Sequence, residues 1–336
     1  MRHRWLQALF ALAACGCASL PSAVRRPPEV WWIDFPAATI AKSQAVRPAD
    51  SRWLSLDTVT FRPVWLPSAE VGAARNPALP SPVRGTVPEG QTLSIVALSA
   101  RSTARPEVFR AVTENAEMLA TTAALVAAQL DTARTESAIL DIEGLSPEDL
   151  PALIGLIRAV SDSLRSRRVG TIAVSIPAAD TLAYPARPIA RVADLIVVEL
   201  EEQHRQGTPA GPVVTVERAR RHLGIRASDV GPGRLVVGIP AYGYLWPRAS
   251  AARRVTYDEA ATLAAASGAS LVRDPSSLSL HARSDRDGWE IWIPDHEVIG
   301  RIVDEARRIG IYRFAIYGAL GADPAITGLF RERVRR

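Results

Sequence analysis

Cysteine is almost absent from this sequence, and the little there is lies at one end. The chain of 336 residues contains 2 cysteines, Cys15 and Cys17. The body of the chain beyond them has none, so no internal disulfide can stabilise it. A Cys/His set with zinc spacing is also lacking. Stability must therefore come from a packed core, which a chain with 48% hydrophobic residues can form.

Long hydrophobic runs are missing as well. The apolar stretch WLQALFALAA near the start is too short to span a bilayer, and the charged residues before it make residues 1–23 typical of a signal peptide. The letters LAAC resemble a bacterial lipobox, which implies cleavage before Cys15 and lipid attachment there. A plain secretory signal cleaved within residues 18–23 is the alternative. The lipobox predicts a lipid-anchored protein of the bacterial cell envelope, and Gly16 favours the outer membrane or periplasm.

Charge of one sign does not dominate the chain. The 40 Lys and Arg residues are nearly balanced by 35 Asp and Glu residues, for a formal net charge of +5. No long basic stripe carries interleaved aromatic residues, so nucleic acid is not an expected partner. We expect neither a cofactor nor a metal.

Short apolar segments rich in β-branched residues recur along the chain and alternate with helical patterns. Eight such strands predict an α/β fold, a parallel (β/α)8 TIM barrel, over residues 28–332. The region 253–294 departs from this alternation. Its helical pattern YDEAATLAAA and the strand-like runs after it predict a small α+β insertion that follows the seventh strand.

Two acids close the predicted fourth strand, AILDIE. Side chains alternate in a barrel strand, so Leu140 and Ile142 should face the helices while Ile139, Asp141 and Glu143 face the interior. The two acids also lie at the carboxyl end of the strand, where barrel enzymes build their sites. Repulsion between them should raise the pKa of one, as a glycosidic proton donor requires. The alternative is a structural pair that caps a helix or binds an arginine.

Four segments carry a family resemblance: ILDIEGLSPEDL, GRLVVGIPAYGYLW, YDEAATLAAA and WEIWIPDHEVIG. In this order they resemble glycoside hydrolase family 18, the chitinase-like barrels, and most closely the bacterial cell-wall and spore-associated branch. The resemblance implies hydrolysis of β-linked N-acetylhexosamine glycans, either peptidoglycan or chitin-like. It implies that Glu143 protonates the leaving oxygen and that Asp141 orients the 2-acetamido group, whose oxygen attacks the anomeric carbon.

Further residues are expected to bind substrate. Tyr242 and Trp246 follow the seventh strand, and packing between the barrel and the insertion is an equal alternative for them. Tyr317 stands where a sugar-stacking Trp is common in the family, and Trp32 lies in the first strand. The complete set of predicted substrate-binding residues is Glu199, Glu201, Tyr242, Trp246, Tyr317 and Trp32.

The sixth strand departs from the family pattern. Glu199, Glu201 and Glu202 stand where Met-x-Tyr-Asp is usual, and Ile139 replaces a polar residue below the first acid of the fourth strand. Ionised acids about 5 Å apart would repel by roughly 3 kcal/mol at an effective dielectric near 20. Such a cluster must be relieved by protonation, by a cation or by a basic partner, and Arg313 and His204 are the candidate partners.

Three functions remain open from the sequence. The chain could be a hydrolase that keeps Asp141 and Glu143, or a different glycosidase with Glu201 as base or nucleophile. It could also be a catalytically inactive relative, a lipoprotein that binds envelope glycan or a protein partner through the same cleft. In each case we expect a monomer that binds glycan and reaches the membrane through its lipid anchor.

Overall fold

The computed structural model describes residues 29–33, 60–64, 92–98, 110, 113–129, 135–142, 144–168, 170–200, 203–319 and 321–330. The predicted signal peptide and Cys15 lie outside these residues. None of the helices in these ranges is long and apolar enough to cross a membrane.

Eight parallel strands form the main sheet. Their spatial order is β1-β13-β7-β6-β5-β4-β3-β2, so β1 and β2 stand at its two ends within the described ranges. The sequence order is otherwise kept around the sheet, as in a barrel of β/α units. The strands are β1 (Glu29–Ile33), β2 (Thr60–Val64), β3 (Thr92–Leu98), β4 (Thr135–Ile142), β5 (Thr171–Pro177), β6 (Leu195–Glu199), β7 (Leu235–Pro240) and β13 (Arg313–Tyr317).

Helices connect most of these strands. The longer ones present apolar side chains to the sheet, and the helix Leu150–Arg165 buries residues three or four positions apart, including Leu153, Leu156 and Val160. The helices of the barrel are α1 (Ala116–Gln129), α2 (Leu150–Arg165), α3 (Ala186–Ile189), α4 (Val216–Val230) and α6 (His296–Arg308). Short 3-10 turns cover Pro147–Asp149, Pro232–Arg234 and Pro324–Phe330.

The main sheet has two differently packed faces. Ile139 belongs to an inner cluster with Trp31, Val197 and Val236, among others. Leu140 and Ile142 instead belong to the large cluster between strands and helices. The two-residue alternation predicted for β4 is therefore confirmed for its described residues, and it directs Asp141 inward.

A short 3-10 turn precedes α2. It covers Pro147–Asp149, directly after Ser146, and α2 begins at Leu150. Asp149 is 2% exposed and accepts hydrogen bonds from the Ser146 amide at 2.9 Å and from Arg110 Nε at 2.6 Å. Burial would raise the pKa of Asp149, but these hydrogen bonds outweigh it and hold the pKa below its ordinary value.

A second, antiparallel sheet follows β7 in the chain. Its strands are ordered β10-β11-β12-β8-β9, namely β8 (Gly243–Pro247), β9 (Arg253–Val255), β10 (Val272–Arg273), β11 (Leu280–Ser284) and β12 (Trp289–Ile293). Helix α5 (Tyr257–Ala266) packs on one face through an apolar cluster that includes Ala260 and Ile291.

The second sheet begins earlier than residue 253. The apolar run GRLVVGIPAYGY contains the whole of β7 and the start of β8. The chain leaves the parallel sheet after Pro240, and β8 then pairs antiparallel with β12. A Cβ at Gly243 would collide with the Trp292 carbonyl oxygen and with Ile293, so this pairing requires glycine.

Candidate active site

Three polar side chains lie on successive strands at the carboxyl end of the inner face. Asp141 on β4 pairs in register with Ser175 on β5, and Glu199 ends β6. The Ser175 hydroxyl donates a hydrogen bond of 2.5 Å to Glu199 Oε1. Ser175 and Glu199 are 2% and 5% exposed, whereas Asp141 is half-buried. The structure therefore brings two of the predicted acids to one edge of the barrel, together with a serine.

This placement follows from the alternation of each strand. Val197 lies in the inner cluster, and Glu199, two residues later, points the same way. Ala173 is likewise inside, which directs Ser175 inward beside Asp141. The sequence reading missed Ser175 because it is a single polar residue in an apolar strand. Its inward position, next to an acid on the neighbouring strand, was the signal that could have revealed it.

The remaining predicted acids, Glu143, Glu201 and Glu202, lie outside the described residues. The chain directly after the first of them is described. Gly144 has φ +80°, in the left-handed region that suits glycine. The next amide, that of Leu145, donates to the Tyr184 hydroxyl at 3.1 Å. The end of β4 is thus bound to the loop that follows β5.

An aromatic cluster joins the barrel mouth to the second sheet. Tyr242 and Tyr244 meet edge to face, with ring centroids 6.1 Å apart, and Trp246 follows at 5.6 Å from Tyr244. Tyr317 packs against both this cluster and the inner barrel cluster. The Arg254 guanidinium lies 4.8 Å from the centre of the Tyr242 ring.

These contacts bear on the two roles that the sequence left open for the aromatics. Tyr242 is 3% exposed, and its ring serves as packing between the barrel and the second sheet. Trp246 is half-buried, and its Nε1 donates to the Thr208 carbonyl at 3.1 Å, which holds the loop after β6. Trp246 and Tyr317 both keep exposed surface that a ligand could contact.

Trp32 lies elsewhere than expected. It packs against the cluster between strands and helices, edge to face with Phe330 at 5.8 Å. Its neighbour Trp31 is the inward residue, and the Trp31 Nε1 donates to Glu29 at 3.0 Å. The alternation of β1 thus turns Trp32 away from the interior, and this corrects its assignment as a residue of the substrate cleft.

The two basic residues expected to offset the acids have other partners. Arg313 starts β13 at the opposite end of the barrel, where its Nε donates to Glu29 at 2.8 Å. His204 follows β6, and its Nδ1 lies 3.0 Å from the Pro209 carbonyl oxygen. Arg313 is therefore not the partner of the acids at the carboxyl ends, because the length of its strand separates them.

One group among the described residues has the spacing of a metal site: Asp295, His296 and Asp323, whose ligand atoms lie within 4.8 Å of one another. Arg273 already binds both oxygens of Asp295, at 3.0 and 2.5 Å. Asp323 accepts from the backbone amide of His296 at 2.9 Å and lies 2.7 Å from its ring. This group caps the start of α6, and its ligand atoms are occupied by protein partners.

Comparison with known proteins points to glycan-cleaving enzymes. No family model matches the chain. A glycosylase of Bacillus subtilis, YvbX, named as uncharacterized, is 30% identical over 115 residues, which are 32% of this chain and 33% of that relative. The match thus spans about a third of the curated relative's length.

Solved structures resemble the chain over a larger part of its length. The spore cortex-lytic enzyme SleL of Bacillus cereus has a TM-score of 0.62 at 17% identity, covering 72% of this chain and 59% of that one. A chitinase of Chromobacterium violaceum has a TM-score of 0.61 at 18% identity, covering 73% and 81%. The chain therefore has the chitinase-like barrel fold, and its resemblance to the spore-associated branch of glycoside hydrolase family 18 is confirmed.

Proposed function

We propose that this protein is a glycoside hydrolase that cleaves β-linked N-acetylhexosamine glycans, peptidoglycan or chitin-like. The observation that carries the proposal is the group of Asp141, Ser175 and Glu199 at the carboxyl ends of β4, β5 and β6. Barrel enzymes assemble their sites at this edge. The chitinase-like fold and a relative named as a glycosylase support the same reaction class.

In this mechanism Glu143 gives its proton to the glycosidic oxygen. The 2-acetamido oxygen of the substrate bonds to the anomeric carbon as the glycosidic C–O bond breaks, and water then hydrolyses the intermediate. Asp141 orients the acetamido group and stabilises its developing positive charge. Its half-buried position suits this role, because a carboxylate acts more strongly on a nearby charge when water is partly excluded.

Glu199 takes the place of an uncharged residue in the family pattern. Its carboxylate accepts from Ser175, so one oxygen is fixed and the side chain is held against the inner wall. We propose that Glu199 shapes the floor of the cleft beside Asp141. Glu201 would then be the side chain that reaches the substrate from β6, either as an acceptor for its hydroxyl groups or as a base.

The second candidate is a binding protein without catalysis. Ile139, buried in the inner cluster directly below Asp141, favours it, because an apolar side chain stands where the family pattern has a polar one. The burial of Tyr242 favours it too, because this ring offers little surface to a sugar in the cleft. Such a protein would hold envelope glycan or a protein partner in the same cleft.

The cellular setting belongs to the same proposal. We propose that Cys15 carries the lipid, that residues 28–332 form one barrel domain, and that the second sheet is the α+β insertion of the family. We further propose a monomer in the outer membrane or periplasm of a bacterial envelope. The glycan accessible from there is peptidoglycan.

Incubation of the purified protein with peptidoglycan and with chitooligosaccharides, beside a Glu143→Gln variant, tests the proposal. We expect new reducing ends from the wild type and none from the variant, with the far-ultraviolet circular dichroism of both unchanged. Glycan that binds to both proteins without being cleaved would support the binding protein and exclude the hydrolase.

A further inference from the structure

Arg226 is a fully buried cation that forms no ion pair with any residue that the structure describes. It lies on α4, is 0% exposed, and donates only to backbone carbonyl oxygens among its hydrogen bonds in the described structure. The acceptors lie at the end of β5 and in the short loop that follows it. They are Tyr184 at 2.7 Å, Pro177 at 2.7 Å, Asp180 at 2.8 Å and Ala178 at 3.3 Å.

This loop is also fixed at two other points. The Asp180 side chain accepts from the amides of Leu182 and Ala183, at 3.1 and 2.9 Å, which forms a local turn. The amide of Ala178 donates to the Glu199 carbonyl at 3.0 Å. A guanidinium has a planar set of donors, so four carbonyls bound to one group fix the loop's path more strongly than separate contacts would.

The fixed loop holds one side chain against the end of β4. Tyr184 is 2% exposed, and its hydroxyl accepts from the amide of Leu145, which is 9% exposed. An unpaired amide in such a buried place would be costly, so the hydroxyl determines where this amide can lie. Gly144, at φ +80°, makes the bend that brings the amide to the hydroxyl.

We infer that Tyr184 is a positioning residue for the reaction, which anchors the turn after Glu143 by accepting from the Leu145 amide. This inference rests on the proposed function. Glu143 is joined to Gly144 by a peptide bond, so movement of the anchored turn moves the acid. Arg226 fixes the backbone of Tyr184 by donating a hydrogen bond to its carbonyl oxygen. A general acid must lie within hydrogen-bond reach of the leaving oxygen, and small displacements lower the rate strongly.

The test is the substitution Tyr184→Phe, which keeps the buried ring and removes the acceptor. Tyr312→Phe is the matched control, because Tyr312 is half-buried and precedes β13 at the other end of the barrel. The measurements are kcat and KM on chitooligosaccharides, and the pH dependence of kcat, whose alkaline limb reports the acid.

We expect Tyr184→Phe to lower kcat by about 10- to 100-fold, with KM within about twofold and the alkaline limb displaced. Tyr312→Phe should leave all three unchanged. A normal kcat and pH profile in Tyr184→Phe would overturn the inference. A lower activity that only matches a smaller fraction of folded protein, with the pH profile of kcat unchanged, would overturn it too. If either result is found and Glu143→Gln is inactive, the inference about Tyr184 is wrong and the proposed function still holds. Full turnover by Glu143→Gln would instead refute the proposed function, and the inference with it.

Discussion

The substitution Arg226→Met should destabilise the protein strongly, although it replaces a buried charge with a shorter, unbranched apolar side chain. Of the four carbonyls that Arg226 binds, two are fully buried with their hydrogen bonds and two are partly accessible to water. Water can replace the donor only at the accessible pair. Each buried acceptor left without a donor costs about 1–3 kcal/mol, for a total of about 2–6 kcal/mol.

Removing the buried charge partly offsets this loss of stability. Burial lowers the pKa of Arg226, which means that its charge is held at a cost, and methionine removes that cost. We therefore expect a loss of about 3 kcal/mol in the free energy of unfolding, or about 5 °C in Tm for a domain of roughly 300 residues.

Thermal and urea unfolding of Arg226→Met measure this loss. Arg221→Met is the control, since Arg221 is exposed on the same helix. A difference between the two variants below about 1 kcal/mol would show that the carbonyls do not depend on the guanidinium, and the reasoning would be wrong.

Two further experiments test the architecture. The pKa of Asp149 lies below its ordinary value, so its stabilisation is present above about pH 4 and is lost as the pH falls through the folded-state pKa. Urea unfolding from pH 7 to pH 3 should therefore show a smaller loss of stability for Asp149→Asn than for the wild type, and parallel curves would refute this. Gly243→Ala should cost about 1–3 kcal/mol because its Cβ meets the backbone of β12, whereas Gly224→Ala, with open space around it on α4, should stabilise by up to about 1 kcal/mol. Equal unfolding midpoints for the two alanine variants would contradict the close approach of β8 and β12.

The inner and outer faces of the barrel strands could be predicted from sequence because covalent geometry fixes their alternation. Once Leu140 was assigned to the helix side, the inward direction of Asp141 followed. The same rule gave opposite faces to Trp31 and Trp32, but it could not say which face was inside. That choice depended on the register of β1 against β13, which aligns Trp31 with the inward Ala315.

Contacts between distant segments could not be predicted in this way. Arg226 reads as one arginine among several on a charged helix, and only the packing of α4 against the loop after β5 shows its burial. The division of one apolar run into β7 and β8 was hidden for a similar reason. The pairing of Tyr244 with Trp292 decides it, and Trp292 lies far along the chain.

The rate of Glu143→Gln on two kinds of substrate tests the central claim most directly. One substrate is a β-linked N-acetylglucosamine oligosaccharide, whose leaving group needs a proton. The other is the 4-nitrophenyl glycoside of the same sugar, whose leaving group departs without one. If Glu143 is the general acid, kcat should fall by about 10²–10⁴-fold on the oligosaccharide and far less on the aryl glycoside. Wild-type rates on both substrates, or an equal loss on both, would contradict the assignment.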